Sequence, residues 1–313
     1  MNCLTLRTND PFINLATEEY LLKNSDGEFL ILYSDSPSVI IGKHQSPHRE
    51  SDTEYVIKHD IPVIRRLSGG GTVYHDEGNL NFTFIRNSKP GHQVDFRKYT
   101  RPVIEFLSVY GVDARLEGKN DLKVNGLKIS GNAEHVHRNR VMHHGTLLFD
   151  TDLSALRNSL RKDTSAYITR AVNSNPSSVA NLKQFMPGFS SPDQFRRKME
   201  EYFLNLPGNQ TYSLKEEEIE VIETLADAKY RTWVWNYAYG PDYQLIKQIE
   251  YKSVKVRIEL DVSNAVIRKC NLFGSELLSR FASGLTGIRH MPEDIEFRLE
   301  EYRISDLEVF HLF

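Results

Sequence analysis

The segment Arg65-Arg66-Leu67-Ser68-Gly69-Gly70-Gly71-Thr72-Val73-Tyr74-His75-Asp76 constrains this chain more than any other stretch. Three consecutive glycines remove every Cβ from a turn, so a ligand can lie directly on backbone amides that form an anion nest. Two arginines beside it supply permanent charge for a phosphate or carboxylate. The residues after the turn decide which nucleotide folds are excluded. Leu80, Phe82 and Phe84 alternate with Asn79, Asn81 and Thr83, the pattern of a half-buried strand. A Gly-x-Gly-x-x-Gly turn would open a helix instead, and no Gly-Lys-Ser/Thr is present for a Walker A loop. A plain hairpin turn would explain the glycines alone. The arginines, Ser68 and His75-Asp76 on their flanks favour a binding site.

Around this turn, helical and strand periods are mixed without a regular β-α-β rhythm, which predicts an α/β or α+β sheet protein rather than a barrel. Asp10-Pro11 caps a helix carrying Phe12, Leu15 and Leu22. Strands are predicted at 29–33 and 39–41, and Asn125-Gly126 marks a hairpin because both residues tolerate positive φ. A helix through Val103, Phe106 and Leu107 stops at Gly111, and a strand over 145–149 leads to a helix through Leu153, Leu156 and Leu160. Residues 161–181 are polar and read as a long loop, a feature that in compact domains is often functional. Ser191-Pro192-Asp193-Gln194 opens a helix burying Phe195, Met199, Tyr202 and Phe203. After Gly240-Pro241 the pattern resets to one hairpin, turning at Ser263-Asn264, and two helices at about 275–281 and 292–302. This divides the chain into a large domain, 1–242, and a small C-terminal α+β domain, 243–313.

A second stretch, Lys119-Asn120-Asp121-Leu122 through Lys128-Ile129-Ser130-Gly131-Asn132-Ala133, places Lys128 on the strand face opposite Leu127 and Ile129. A lone lysine is ordinarily a solvated surface charge. Small residues directly after this one let something bulky approach the backbone. Asn120-Asp121 can read an adenine, hold a divalent cation or simply make a turn. In the third stretch, His143-His144-Gly145-Thr146, adjacent histidines point to opposite faces of a strand and cannot easily share a metal, so a pocket wall suits them better than zinc.

Composition narrows the class. The 313 residues carry 39 Lys+Arg against 42 Asp+Glu, so no general basic field recruits nucleic acid or anionic lipid. No apolar run approaches the roughly 20 residues of a membrane span. The start lacks a signal peptide's pattern, and Cys3 and Cys270 make neither a disulfide framework nor a Cys-rich zinc site. A soluble cytoplasmic protein is expected.

Together the three stretches resemble the lipoate–protein ligase family of the biotin/lipoate ligase superfamily, in its full-length type with a C-terminal accessory domain. Arg65-Arg66-x-Ser68-Gly69-Gly70-Gly71-x-Val73-x-His75-Asp76, Gly78-Asn79-x-Asn81, Asn120-Asp121-Leu122, Lys128-Ile129-Ser130-Gly131-x-Ala133 and His143-His144-Gly145-Thr146-Leu147-Leu148 carry the likeness. Val179-Ala180-Asn181-Leu182 resembles the end of the family's adenylate-binding loop, with Ala180 where Thr is common, and Trp233-Val234-Trp235-Asn236 resembles its Trp-x-Trp-Asn segment. The resemblance implies a class II synthetase-like fold and ATP-dependent activation of lipoate to lipoyl-adenylate. Transfer would then go to a lysine of lipoyl domains in 2-oxoacid dehydrogenase E2 subunits or of the glycine cleavage H protein. It further implies Arg66, Gly71, Thr72, Val73, Tyr74, Asn120, Asp121 and Lys128 as nucleotide contacts, with Lys128 catalytic. Ser68, Gly70, His75, His144 and Lys128 are implied as lipoate contacts, and Asp121 as a ligand for Mg2+. Leu15, Leu67 and Val73 are candidate walls of a lipoate tunnel. A lipoyltransferase using preformed lipoyl-adenylate, or a non-enzymatic lipoyl-adenylate binding module, shares these motifs. Neither cysteine falls in a matching motif, so an acyl-thioester route is not expected.

Overall fold

The structure is a computed structural model describing residues 1–89, 94–175 and 177–313. Its centre is an eight-stranded mixed sheet. In sheet order it runs β12 (Gln210–Thr211), β1 (Asn2–Thr5), β2 (Phe29–Tyr33), β6 (Asn79–Asn87), β10 (Arg140–Leu148), β9 (Leu127–His137), β8 (Asp121–Val124) and β7 (Arg115–Glu117). β12, β1 and β2 are parallel and the rest antiparallel. The Asn125-Gly126 hairpin joins β8 to β9 with φ of 50° and 78°, so both turn residues take the conformation that their type predicts.

The sheet is covered on both faces, which is why its central strands β2, β6 and β10 are buried along nearly all their length. On one face Leu30, Leu32, Phe82 and Phe84 pack with α4 (Phe96–Val109) and α6 (Pro192–Leu204), where Phe106, Phe195, Met199 and Phe203 are buried. Each such phenylalanine contributes about 1.5–3 kcal/mol by leaving water, and the Phe149 and Phe195 rings stack 4.6 Å apart. Tyr202 lies at the edge of this cluster, only partly buried. On the other face Phe29, Ile31, Tyr33 and Ile85 pack under α1 (Pro11–Asn24) and α7 (Glu216–Leu225). Asp10 caps α1 through the Phe12 and Ile13 amides. The half-buried reading of β6 needs correction. Asn79, Asn81 and Thr83 are buried as deeply as their apolar neighbours, because α1 lies over them and Thr83 Oγ1 donates to Glu18.

A small sheet sits at the flank: β3 (Ser38–Ile41) lies between β4 (Val63–Arg65), parallel to it, and β5 (Val73–His75), antiparallel. The short helices α2 (Pro47–Glu50), α3 (Thr53–Lys58) and α5 (Leu153–Ser159) lie in the surrounding segments. The glycine segment crosses from β4 to β5 past the end of β3.

The C-terminal sheet departs from expectation. It has four strands, β11 (Tyr167–Thr169), β13 (Tyr243–Tyr251), β14 (Val254–Ser263) and β15 (Val266–Phe273), instead of one hairpin. β11 comes from the polar segment expected to be a structureless loop and pairs with β13. The β14–β15 turn sits one residue later than expected, at Asn264-Ala265, both with positive φ. Helices α8 (Glu276–Leu285) and α9 (Pro292–Glu301) complete a separate apolar cluster on this sheet.

Candidate functional site

The glycine turn is built by what it lacks and by what Arg66 holds. Gly70 has φ +90°, a region L side chains rarely adopt. Its carbonyl sits where a Cβ on Gly42 would be, so the end of β3 must also be glycine. Arg66 donates from Nε to Ser68 Oγ (2.9 Å), from Nη1 to Ile40 O (3.1 Å) and from Nη2 to Gly69 O and Gly71 O (both 2.7 Å). Four of the five guanidinium N–H groups are thereby spent on shaping the turn, leaving one for a ligand. Arg65 donates to backbone carbonyls alone. It reaches the Gly42, Lys43 and Gln45 carbonyls (3.1, 2.9 and 2.8 Å) and those of Trp235 and Asn236 (3.0 and 2.9 Å). The expectation that both arginines offer charge to an anion is therefore corrected for Arg65, a fully buried strut. Burial lowers both guanidiniums to about 10.

Beside the turn opens a cavity of about 470 Å³, a size suited to a small molecule. Alternation along β5 turns Val73 and His75 into it, while Tyr74 packs with Val39, Val56 and Val63 behind it. Of the residues singled out from sequence, Arg66, Gly70, Gly71, Thr72, Val73, His75, Asn120, Asp121, Lys128, His144 and Leu15 line the cavity. Tyr74, Ser68 and Leu67 do not; Leu67 lies in the core under α1. Ser68 still touches the site through His144, its Oγ 2.6 Å from Nε2.

Lys128 stands in β9 opposite the turn, with Nζ 2.9 Å from Asp121 Oδ1. Its backbone bonds to Ser178 O and Ala180 N (both 2.9 Å), so the segment around Val179 is tied to the same strand. Asn120 Nδ2 donates to Asn132 O (2.6 Å), fixing the approach to Asp121. The histidines of β10 face opposite ways, as their adjacency requires. His143 is buried against Glu134 (2.8 Å), and burial lowers its proton affinity. His144 bridges Ser68 and Glu18, with Nδ1 3.0 Å from Glu18 Oε2. Burial alone would raise the Glu18 carboxyl; His144, Thr83 and Tyr33 outweigh it and hold it below the usual range. His75 gives Nδ1 to Asp35 (2.7 Å), and its buried Nε2 has no protein partner.

Tyr33, Ile40 and the segment Val172, Asn173, Ser174, Asn175 also line the cavity without a sequence signal, and Asn81 and Thr146 line it as members of motifs that assigned them no role. Alternation along β6 puts Asn81 on the side expected to be exposed, and residues 172–175 have no periodicity to read. Among the described residues no three His, Cys, Asp or Glu side chains converge as a metal site, and no helix is long and apolar enough to cross a membrane.

Residues 10–204 match the family model of the lipoyl protein ligase A/B catalytic domain. The chain is 36% identical over 310 residues to lipoate–protein ligase 1 of Staphylococcus aureus, covering 97% of this chain and 93% of that one. It is 39% identical over 271 residues to the lipoate-protein ligase LplJ of Bacillus subtilis, covering 85% and 82%. Among solved structures, an archaeal bi-partite lipoate protein ligase of Thermoplasma acidophilum, described with its E2 lipoyl domain, superposes with a TM-score of 0.64 at 30% identity, over 75% of this chain and 95% of that one. A lipoate-protein ligase A bound with ATP gives 0.64 at 29% identity, over 75% and 97%. A mixed α/β fold, a cavity between a glycine turn and a strand lysine, and these likenesses agree: the chain belongs to the lipoate–protein ligase family of enzymes.

Proposed function

We propose that the chain joins lipoate to ATP, releasing pyrophosphate, and then passes the lipoyl group from lipoyl-adenylate to an acceptor lysine, releasing AMP. The observation that carries this reading is Lys128 facing the glycine turn across one cavity, with Asp121 beside it. A carboxylate must approach a phosphate, and two anions repel. Lys128, the remaining N–H of Arg66 and the turn's amides offset that repulsion and stabilise charge that develops on non-bridging oxygens. In the second step the acceptor amine attacks the lipoyl carbonyl and the adenylate oxygen leaves with its electron pair, again beside Lys128.

On this reading Arg66, Gly71, Thr72, Val73, Tyr74, Asn120, Asp121 and Lys128 contact the nucleotide, Tyr74 through its backbone since its side chain faces the core. Ser68, Gly70, His75, His144 and Lys128 surround lipoate, with Ser68 acting through His144. Asp121 can fill one position around a Mg2+ that ATP carries, because this ion takes most of its ligands from phosphate and water. The acceptors are lipoyl domains of E2 subunits and the glycine cleavage H protein, in line with the E2 lipoyl domain described with the Thermoplasma ligase. Residues 1–242 form the catalytic domain and 243–313 the accessory one. Both cysteines are buried free thiols, as suits a cytoplasmic enzyme.

Pyrophosphate release from ATP and lipoate, followed by a mass increase on an added lipoyl domain, is the test. Transfer from supplied lipoyl-adenylate without pyrophosphate release would leave only the transferase half. Neither reaction, with lipoyl-adenylate still bound, would make the chain a binding module.

A further inference from the structure

The segment that carries Ser174 is seated directly on the glycine turn. Ser174 Oγ accepts from the Thr72 amide (2.9 Å) and from Gln45 Nε2 (3.1 Å), and it donates to Glu50. One donor and two acceptor positions are all that a hydroxyl has, so this one is saturated. Its partners are in turn fixed. Gln45 Oε1 accepts from Gly42 N (2.8 Å) and Thr72 Oγ1 (2.9 Å), and Gln45 Nε2 also reaches Val172 O (3.3 Å). Glu50 and Gln45 are buried, the latter completely. A Cβ on Gly71 would stand 3.2 Å from Ser174 Oγ, so the glycine makes room for it. The hydroxyl thus occupies one of the turn's amides, the kind of donor an anion would claim.

We propose that Ser174 is a positioning residue that guards the nucleotide site: its hydroxyl caps the Thr72 amide in the free chain and yields that amide to a phosphate oxygen. The inference rests on the ATP reading above and adds to it a gate. An amide bonded to an ionised oxygen is roughly twice as strong as one bonded to a neutral hydroxyl, so the phosphate displaces Ser174 and the reverse does not occur at saturating ATP. The capped form cannot bind, so apparent affinity is the intrinsic affinity multiplied by the fraction of chains that are uncapped.

Three full-length proteins decide it: wild type, Ser174→Ala and Ser174→Thr. Trypsin cleavage after the exposed Arg170, without ligand, reports how firmly the segment is held. Ser174→Ala should be cut about tenfold faster, the weight of one net hydrogen bond to a well-made partner set, and Ser174→Thr should return toward wild type. Calorimetric titration with ATP reports the gate: Ser174→Ala should bind about three- to tenfold more tightly, with Ser174→Thr again near wild type. Equal cleavage of wild type and Ser174→Ala would overturn the hold. Faster cleavage with unchanged or weaker ATP binding would overturn the gate, since the hydroxyl would then support the loop and obstruct nothing. Pyrophosphate release is measured alongside. Its absence from a wild type that binds ATP defeats the ligase reading alone, whereas no ATP binding by either protein defeats the gate together with it.

Discussion

Arg65 and Arg66 are adjacent in sequence and alike in burial, yet one holds the molecule together and the other also faces the cavity. The difference is strand alternation: Arg65 ends β4 with its guanidinium among the carbonyls of Gly42, Lys43, Gln45, Trp235 and Asn236, and Arg66 turns toward Ile40 and the glycines. Adjacency of two arginines tells that a charged pair stands at the turn, not which one is spent on backbone. An Arg65→Lys variant keeps the charge but loses the planar fork, leaving buried carbonyls unpaired at about 1–3 kcal/mol each. Its melting temperature should drop by several degrees with ATP affinity in the folded protein largely kept, while Arg66→Lys, which also frees carbonyls of the turn, should lose ATP affinity as well. Equal losses of ATP affinity from the two would contradict the division. Lys128 is legible because β-alternation and the small residues after it together point into a pocket, and it does line the cavity. Its ion pair with Asp121 is partly exposed, and such pairs stabilise by at most about 1 kcal/mol. Lys128→Ala should therefore melt like wild type and release pyrophosphate on the order of 10²–10³ times more slowly. Wild-type turnover in a folded Lys128→Ala protein would remove it from the mechanism.

At the scale of elements, the legible parts are those where one period runs uninterrupted. α1, β2, the Asn125-Gly126 hairpin and α6 lie where spacing and caps put them. β13 escapes a sequence reading although Tyr243, Leu245, Ile249 and Tyr251 alternate, because Lys247 stands at the inward register between them. Its stem lies along the core and its Nζ donates to Phe313 O (2.5 Å), and burial lowers its pKa to about 8. β11 is three residues long, and its partner strand lies more than 70 residues onward, so no local pattern could announce it. The π-helical turns are likewise held by distant partners: Lys229 and Tyr230 of Ala226–Tyr230 bond to Glu19, and Trp235 and Asn236 of Val234–Ala238 bond to Arg65. The glycine turn is the opposite case, since its backbone conformation is written in its composition. Gly70→Val asks a branched residue to hold φ +90° with Arg66 Nη2 about 3.1 Å from its Cβ. The expected outcome is loss of ATP binding by calorimetry with the far-ultraviolet circular dichroism intact. Unchanged affinity would mean that ligands do not rest on this turn.

The whole molecule is joined at a cluster of histidines that belongs to no motif and no periodic pattern. His48 follows Pro47 in α2, and His290 precedes α9 at the far end of the chain. His48 Nε2 donates to His290 O (2.7 Å) and its Nδ1 faces Thr53 Oγ1 (3.2 Å). His290 Nε2 donates to Leu312 O (2.7 Å), and its Nδ1 accepts from the Tyr243 hydroxyl. Phe313 stacks on His290 at 4.3 Å and leans on His48 at 4.8 Å. Each ring nitrogen has a partner suited to a neutral imidazole, and Lys247 and Arg161 nearby further oppose a second proton. Burial pushes His290 down to about 4 and His48 well below its usual value. The unfolded chain takes up these protons near pH 6.5 and the folded one does not. Stability is thus fully present above about pH 6.5 and is lost as the pH falls toward 4, by about 3 kcal/mol for His290 alone. Melting temperatures between pH 7.5 and 4.5 should fall steeply in wild type and less in His290→Gln, whose side chain cannot titrate. The variant starts lower at pH 7.5, because the Tyr243 and Leu312 contacts are weakened, so the slope is the quantity to read. β11, which joins this C-terminal sheet, ends at Thr169, only five residues before Ser174, a span of at most about 18 Å. Loosening the histidine joint at low pH should therefore also speed trypsin cleavage after Arg170. A pH slope identical in wild type and His290→Gln would show that other groups drive the acid transition and that the joint is not its site.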